Sequence, residues 1–343
     1  MAPLPKNILP STKDLIDQFH EAQREMEKPR PYFQISSIGH ECDRWLWLQF
    51  RWAVFEKFPG RILRLFRRGQ AEEEMVIRDL INIGVDVRET GARQRTVYGP
   101  GHIQGHPDGI IMKNLPEATG SQHILEIKTH SLKSFNELVK LGSVEKAKPM
   151  HYAQMQVYMF LTGINRGLYY PVCKDNDETN PERVKLDPRF ARKLVDRGHR
   201  ISLMERLPEP ISADPTWYKC RFCPGHDFCH VSHKIKEVNC RTCAHSTPKE
   251  DGTFHCAYWD SPIPDHAQVD GCDCHVIHPD LVPWPVDPDL SDDVTAVYVI
   301  NGQKVRNGRD AYKSEELLNY DGPFNDPVVD QVREAFGGVL INA

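Results

Sequence analysis

Alternating apolar and polar residues predict two adjacent strands in the first half of the chain. Residues 105–110 form a short apolar segment, and residues 124–128 form a second one after a run rich in turn formers, 112–123. Side chains two apart in a strand point to one face, so Glu126 and Lys128 project together while their neighbours point to the apolar side. The turn-rich run can reverse the chain and bring the two strands side by side.

Helical periodicity marks the segment 66–80, which precedes these strands. Its apolar residues recur at the spacing of one helix face, and Glu73 falls on that face while Glu72 and Glu74 fall beside it. A carboxylate on an apolar face is costly unless a cation or a metal pairs with it. A solvated glutamate at the rim of the face is the alternative interpretation.

A second, strongly apolar helix is predicted over residues 150–161. Gln154 and Tyr158 are one helical turn apart and therefore share a face. Alone, such a pair is commonly a satisfied core amide and a core tyrosine. The pair becomes a candidate site feature only in combination with the acidic residues.

Asp108 and Glu126 lie on the two predicted strands, where their carboxylates can share one cation. Mg²⁺ and Mn²⁺ prefer carboxylate oxygen and water, and two close acids are stable as a dianion only with positive charge between them. Such a metal would activate water, and Lys128 would orient that water or stabilise the transition state. An ordinary hairpin with a solvated Glu-x-Lys face is the alternative.

Taken in order, these residues resemble the PD-(D/E)XK nuclease superfamily, and within it the RecB-like exonuclease group. The resemblance covers about residues 35 to 230, and it rests on the helix acid, Pro-Asp, Glu-x-Lys and Gln-xxx-Tyr. The matching residues are Glu73, Pro107-Asp108, Glu126-Ile127-Lys128, and Gln154 with Tyr158. The resemblance implies an α+β (α/β) fold: a restriction-endonuclease-like core whose mixed central sheet is flanked by helices.

The resemblance also implies a role for each matching residue. The ligands of one or two Mg²⁺ or Mn²⁺ ions would be Glu73, Asp108, Glu126 and the carbonyl of Ile127. Lys128 would position and help to activate the water, and Gln154 and Tyr158 would line the site near the DNA. The candidate catalytic residues are therefore Glu73, Asp108, Glu126, Lys128, Gln154 and Tyr158.

The ten cysteines favour metal binding over disulfides. A chain of 343 residues has enough core to fold without disulfides, and it begins with no apolar signal segment, so a reducing cytoplasm is expected. Cys220, Cys223 and Cys229 leave a tetrahedral metal site one ligand short. Cys42 can supply the fourth ligand.

The four cysteines resemble those of iron-sulfur nucleases related to AddB and to the CRISPR adaptation nucleases. Those proteins hold a [4Fe-4S] cluster through one cysteine before the nuclease core and a Cys-x2-Cys-x5-Cys group after it, the spacing found over 220–229. The resemblance implies a structural cluster that joins the two ends of the core. The alternatives are zinc on the same four sulfurs, or a local zinc turn without Cys42.

A second cysteine group predicts a small zinc ribbon. Its ligands are Cys240, Cys243, Cys256 and Cys272, with Cys274 and His275 as competitors for the fourth position. Zinc ribbons more commonly stabilise a small domain than contact DNA. A structural role is therefore the prediction.

These markers divide the chain into four segments. They are an N-terminal helical segment, 1–34; a nuclease core closed by the cysteine-bound cluster, 35–232; a zinc-binding module, 236–284; and a C-terminal hairpin and helix, 289–343. The polar run 173–188 is predicted to be a surface loop, and Asn301-Gly302 predicts a type I′ turn in the hairpin. No apolar run is long enough to span a membrane.

The predicted function is metal-dependent DNA exonuclease action on DNA ends or single strands in replication, recombination or DNA degradation. A net charge of -5 excludes a broadly basic nucleic-acid coat, but arginines 61, 64, 67 and 68 cluster before the helix that carries Glu73. No Gly-x4-Gly-Lys-Ser/Thr motif is present, so unwinding requires a helicase or recombination partner.

The resemblance to these nucleases implies that the source is a phage and that the protein acts in the cytoplasm of the bacterial host. A structure-selective endonuclease, a CRISPR-adaptation-like processor and a non-catalytic DNA-binding assembly factor are the alternatives.

Overall fold

The computed structural model describes residues 9–340 of the chain. Within that range the helices, in chain order, are α1 Thr12–Glu25, α2 Asp43–Phe50, α3 Gly60–Asn82, α4 Leu132–Leu141, α5 Val144–Ala147, α6 Pro149–Thr162, α7 Pro188–Leu203, α8 Tyr218–Arg221, α9 Ser314–Asn319 and α10 Pro327–Phe336. None of these helices has both the length and the apolar character needed to cross a membrane.

The strands of the same range form four sheets. In chain order they are β1 Phe33–Gln34, β2 Asp86–Arg88, β3 Val97–Tyr98, β4 Ile103–Gly105, β5 Gly109–Lys113, β6 His123–His130, β7 Arg166–Cys173, β8 Glu182–Lys185, β9 Ser246–Pro248, β10 Phe254–Cys256, β11 Ser261–Ile263, β12 Ala296–Ile300 and β13 Gln303–Asn307. The largest sheet has the order β2-β5-β6-β7-β8, and the smaller ones are β1-β4-β3, β11-β10-β9 and β12-β13.

The central sheet is mixed, and helices cover both of its faces. The β6–β7 pair is parallel, whereas β2–β5, β5–β6 and β7–β8 are antiparallel. On one face, Val76 and Ile77 of α3 pack against Leu125 and Ile127 of β6. On the other face, α6 joins the main hydrophobic core, which includes Ile124 and extends across the molecule. The predicted α+β class is therefore confirmed.

The predicted pair of strands is present, but the first strand begins later than predicted: residues 106–108 lie between β4 and β5, so Asp108 precedes β5 instead of lying on it. β5 and β6 pair antiparallel, with Gly109 opposite Leu125, and the turn-rich segment between them reverses the chain. The odd-numbered residues of β6 face α3, and its even-numbered residues face α6. The helices predicted over 66–80 and 150–161 are also present, as α3 and α6.

The polar segment 173–188 is only partly a loop, so the prediction of a surface loop over the whole segment is wrong. Its residues Glu182–Lys185 form β8, the edge strand of the central sheet, which pairs antiparallel with β7. Only Val184 of this strand is buried, so the sequence carries almost no apolar pattern. The strand is held by Gln156, whose side chain donates to the Lys185 carbonyl at 2.8 Å and accepts from the Asp187 amide at 2.7 Å.

The C-terminal hairpin forms as predicted. β12 and β13 pair antiparallel, and Asn301 and Gly302 between them both have positive φ, 50° and 80°, as a type I′ turn requires. The division into the segments 1–34, 35–232, 236–284 and 289–343 stays a prediction. Residues 1–8 of the first segment and 341–343 of the last lie outside the described residues.

Candidate active site

Asp108 lies where the pairing of β5 with β6 in the central sheet ends. It immediately precedes β5, so the antiparallel ladder with β6 ends beside it and the second half of β6 is paired only with β7. The Ile127 amide, which would otherwise lack a partner at this point, donates to Asp108 Oδ2 at 2.7 Å. This bond fixes the Asp108 carboxylate against β6.

Glu126 and Lys128 project from the same face of β6, as the alternation predicts. The Lys128 ammonium contacts Glu126 Oε1, lies 3.8 Å from Asp108 Oδ2, and donates to the Ile127 carbonyl at 3.2 Å. Glu126 is fully buried, whereas the Lys128 side chain is 28% exposed and so can be reached from solvent. The ammonium therefore lies between the two carboxylates.

Glu73 supplies a third carboxylate from α3. Burial, reinforced by the charge of Asp108, raises the pKa of Glu73 to about 7, while Lys128 and a 3.0 Å hydrogen bond from Gln94 Nε2 oppose that rise. Glu73 also acts on Glu126, so it faces the other two acids. Its neighbour Glu74 is exposed to solvent. Of these two glutamates, Glu73 is the one whose charge interacts with Asp108 and Glu126, and its role as a metal ligand stays a prediction.

The site holds three carboxyl groups and one ammonium. Burial raises the pKa of Glu126 above its usual range, Asp108 adds to the rise, and Lys128 opposes it. Burial alone would lower the pKa of Lys128, but the charges of Glu126 and Asp108 raise it well above its ordinary value. Glu126 Oε2 is buried and has no hydrogen-bond partner within the described part of the chain. A second cation would satisfy this oxygen, so the donor set fits a hard divalent metal.

Gln154 and Tyr158 lie behind the Asp108 segment rather than among the acids. Tyr158 Oη donates to the His106 carbonyl at 2.9 Å, and the Gln154 side chain is hydrogen-bonded to Tyr158. A Cβ at Gly105 would lie 2.7 Å from the Tyr158 hydroxyl, so only glycine permits this close approach. The pair therefore anchors the backbone that leads into Asp108.

Three residues next to Lys128 were not predicted from the sequence. His130 Nε2 and His151 Nδ1 both lie 2.8 Å from the Tyr169 hydroxyl. His130 extends the Glu126 and Lys128 alternation by one more step, and that pattern was available in the sequence. Tyr169 comes from β7 and His151 from α6, so their proximity depends on the tertiary fold.

The first cysteine group lines part of a cavity of about 410 Å³, whose wall also includes Trp45, Met150 and Phe190. Cys42 precedes α2, Cys220 lies in α8, and Cys229 lies in the π-helical turn Phe228–Ser232. Burial raises the pKa of the Cys223 thiol to about 11, and the charges of the other three cysteines add to that rise. The fold therefore brings together the four thiols that the sequence pattern selected.

The second cysteine group lines a much smaller cavity, about 20 Å³. Burial raises the pKa of Cys240 to about 11, and Cys272 and Cys256 add to the rise. Both ring nitrogens of His275 are engaged elsewhere, Nδ1 at 2.7 Å from Ser314 Oγ and Nε2 at 3.1 Å from the Asn239 carbonyl. Both Cys274 and His275 line the cavity, but the hydrogen bonds of His275 make it the weaker competitor for the fourth position.

Neither the acids nor the thiols form a preassembled single-ion site. Within residues 9–340, no group of three or more His, Cys, Asp or Glu side chains is arranged so as to hold a metal ion. None of the ten cysteines, all of which lie in the described range, forms a disulfide. At the acid site, the Lys128 ammonium makes the contacts with Glu126 and Asp108.

Comparisons with known proteins relate part of the chain to viral recombination proteins. No curated protein matches the sequence. Among solved structures, LHK-Exo, an alkaline exonuclease from Laribacter hongkongensis, is similar in its dAMP complex, with 19% identity, a TM-score of 0.38, and coverage of 50% of this chain and 86% of that one. A phage related exonuclease from Haemophilus somnus has 17% identity, a TM-score of 0.30, and coverage of 40% and 68%. Residues 66–165, which carry the three acids, Lys128, Gln154 and Tyr158, match the model of the YqaJ-like viral recombinase domain.

Proposed function

We propose that the chain is a metal-dependent DNA exonuclease that hydrolyses DNA ends or single strands during recombination. One observation carries the proposal: Glu73, Asp108 and Glu126 converge around Lys128 within the segment that matches the YqaJ-like viral recombinase domain. The same match and the phage related exonuclease among the similar structures support a phage source. The bacterial host cytoplasm is then the place of action.

Mg²⁺ or Mn²⁺ would be held by Glu73, Asp108 and Glu126, with the Ile127 carbonyl as a further ligand. The partnerless Glu126 Oε2 and the raised pKa values of Glu73 and Glu126 support a divalent cation at this position. When bound, such an ion activates water and offsets the charge that develops on the phosphate oxygens.

The protein's own residues orient the reacting groups. Lys128, partly exposed and permanently charged, donates hydrogen bonds to the attacking water or to the phosphate oxygens in the transition state. The Ile127 amide holds Asp108 in place. Tyr158, bonded to the His106 carbonyl and supported by Gln154, holds the backbone that carries Asp108. Gln154 and Tyr158 thus act by positioning.

We further propose that Cys42, Cys220, Cys223 and Cys229 hold a [4Fe-4S] cluster. Around one zinc ion, each sulfur lies about 2.3 Å from the metal, so four ligands must converge tightly. A cluster of eight atoms needs a larger space, and the four cysteines line one cavity of about 410 Å³ that can accommodate it. The Cys-x2-Cys-x5-Cys spacing over 220–229 supports the cluster over zinc. The cluster would join α2 to the segment after α7.

For the second group we propose a structural zinc ion held by Cys240, Cys243, Cys256 and Cys272. The small cavity of about 20 Å³ and the mutual influence of Cys240, Cys256 and Cys272 support a single ion. Iron and zinc analysis after anaerobic purification tests both proposals. We expect about four irons and one zinc per chain, and an iron-free protein with two zincs would contradict the cluster.

The exonuclease proposal is tested with end-labelled linear DNA and covalently closed circular DNA, each incubated with Mn²⁺. We expect progressive release of nucleotides from the linear DNA and no cutting of the circle. Cleavage of the circle would instead favour a structure-selective endonuclease or a CRISPR-adaptation-like processor. Binding of DNA with no hydrolysis of either substrate would favour a non-catalytic assembly factor.

A further inference from the structure

A cluster of uncharged polar residues, with His130 and Tyr169 buried and His151 partly buried, lies along the sheet next to Lys128. Two imidazoles contact one phenol: His130 Nε2 and His151 Nδ1 each lie 2.8 Å from Tyr169 Oη. The second nitrogen of His130 is 3.1 Å from Ser134 Oγ, in the first turn of α4. Thus β6, β7, α4 and α6 each contribute one member of the network. We call His130, Tyr169 and His151 the His–Tyr–His cluster.

The register of the sheet shows how the Tyr169 side chain must run. Tyr169 is the partner of Glu126 in the parallel β6–β7 pair, yet its hydroxyl reaches His130, four residues farther along β6. Four residues of strand span about 13 Å, which a tyrosine and a histidine bridge only if both lean along the strand. The Tyr169 ring therefore passes alongside Lys128, whose charge acts on the phenol.

The hydrogen bonds and the pKa values of its members together define the protonation state of the cluster. A phenol has one O–H to donate, so it donates to one imidazole and accepts an N–H from the other. Burial, together with the positive charges of Lys128 and Lys148, lowers the pKa of His130 to about 4 and that of His151 to about 3. Burial likewise keeps the pKa of Tyr169 above its ordinary value. All three side chains are uncharged at neutral pH.

The cluster forms an uncharged surface beside Lys128, and this surface affects where the Lys128 ammonium lies. No member of the cluster offers Lys128 a competing anion, so the carboxylates that attract it are those of the site, chiefly Glu126 and Asp108. The Tyr169 ring also limits the space into which the flexible lysine stem can turn. Both effects hold the ammonium at the acids.

We propose that His130, Tyr169 and His151 are positioning residues that fix Lys128 for DNA hydrolysis, with the Tyr169 ring as a wall and the two imidazoles as its anchors. This inference rests on the proposed nuclease function. It assigns no contact with DNA or metal to the cluster. Its members therefore affect the chemical step and leave DNA binding unchanged.

The test compares variants that keep or remove the two anchoring bonds. Tyr169→Phe keeps the ring and removes the hydroxyl. His151→Asn and His130→Gln place an amide near the lost Nδ1 or Nε2, whereas His151→Leu and His130→Leu remove the polar group. The matched controls are Tyr298→Phe, whose buried hydroxyl bonds to the Ile277 carbonyl, and His123→Leu, a buried histidine at the other end of β6. The measurements are kcat and KM on linear DNA with Mn²⁺, and the thermal midpoint.

We expect kcat to fall about tenfold in Tyr169→Phe and in both leucine variants, with KM for DNA within about twofold of wild type. His151→Asn and His130→Gln should recover most of the lost kcat, which a purely space-filling role would not produce. The controls should keep the wild-type kcat.

Two results would overturn the inference while the wild-type protein degrades DNA. One is a wild-type kcat in folded Tyr169→Phe, and the other is equal loss in the leucine and amide variants. If Tyr169→Phe does not fold, the comparison of His130→Gln with His130→Leu decides. A wild-type protein that hydrolyses no DNA fails the proposed function itself, and the positioning role falls with it.

Discussion

Three different local features place Asp108, Glu126 and Glu73 in the site. The Ile127 amide holds Asp108, strand alternation directs Glu126, and the apolar stripe of α3 carries Glu73 inward. Two of these features follow from the sequence, since periodicity alone orients Glu126 and Glu73. The hydrogen bond from the Ile127 amide to Asp108 does not follow from the sequence, because it forms only where the β5–β6 ladder ends.

The titration of Glu73 should make the metal-free protein less stable at high pH. Its pKa in the folded protein is about 7, raised from an ordinary value of 4.5. Because the carboxyl has a higher pKa in the folded protein than in the unfolded chain, its contribution to the stability of the folded protein is fully present below pH 4.5. This contribution is lost as the pH rises through about 7. Without added divalent metal, Glu73→Gln should therefore raise the thermal midpoint relative to wild type at pH 8 and much less at pH 5.

The control for this prediction is Glu74→Gln, which changes the exposed neighbour on the same helix. It should leave the difference between pH 5 and pH 8 as in wild type. An effect of Glu73→Gln that is the same at both pH values would show that Glu73 does not titrate in this range.

At the scale of elements, α6 positions the site through its contact with the segment before Asp108. The prediction of α3, α6, the paired strands and the C-terminal hairpin succeeded because each carries its own periodicity or turn residues. β8 was missed because one buried residue, Val184, and a bond from Gln156 define it. Such short edge strands depend on tertiary partners that local sequence does not encode.

Gly105→Ala should displace the Tyr158 anchor. The added Cβ would lie 2.7 Å from Tyr158 Oη and 2.9 Å from Ile35 Cβ, so the backbone leading to Asp108 must shift. We expect a loss of about 1–3 kcal/mol in the free energy of unfolding, together with reduced nuclease activity. Denaturant unfolding and digestion of linear DNA measure the two effects.

Gly120→Ala is the matched control, since a Cβ there would meet nothing within 4 Å and the φ angle is not positive. It should leave stability and activity near wild type. Unchanged activity in Gly105→Ala would mean that Tyr158 does not position Asp108.

At the scale of the whole molecule, Arg241 joins the second cysteine group to the nuclease core. It lies between Cys240 and Cys243, is fully buried, and donates to Gln268 Oε1 at 2.8 Å. It also donates to the carbonyls of Phe50 and Pro31, at 2.8 and 2.7 Å, and its guanidinium lies 3.9 Å from the ring centroid of Trp52.

Arg241→Met should destabilise the whole protein. The substitution removes a buried cation together with the hydrogen bonds that satisfy two core carbonyls, so we expect a loss of about 3 kcal/mol in the free energy of unfolding. The measurement is denaturant unfolding with metals retained. Arg88→Met, which changes an exposed arginine paired with Asp86, is the control and should cost less than about 1 kcal/mol. Equal effects of the two substitutions would argue against this junction.

The central claim is that the Asp108 carboxylate, together with Glu126 and Glu73, forms a nuclease centre. The most direct measurement is the rate at which Asp108→Asn digests end-labelled linear DNA with Mn²⁺, compared with wild type and with Asp86→Asn. Asp86 lies on the neighbouring strand β2 and pairs with Arg88, so its variant controls for loss of a carboxylate on the same sheet. We predict at least a ~1000-fold loss for Asp108→Asn and wild-type digestion for Asp86→Asn. A folded Asp108→Asn protein that digests DNA at the wild-type rate would contradict the account.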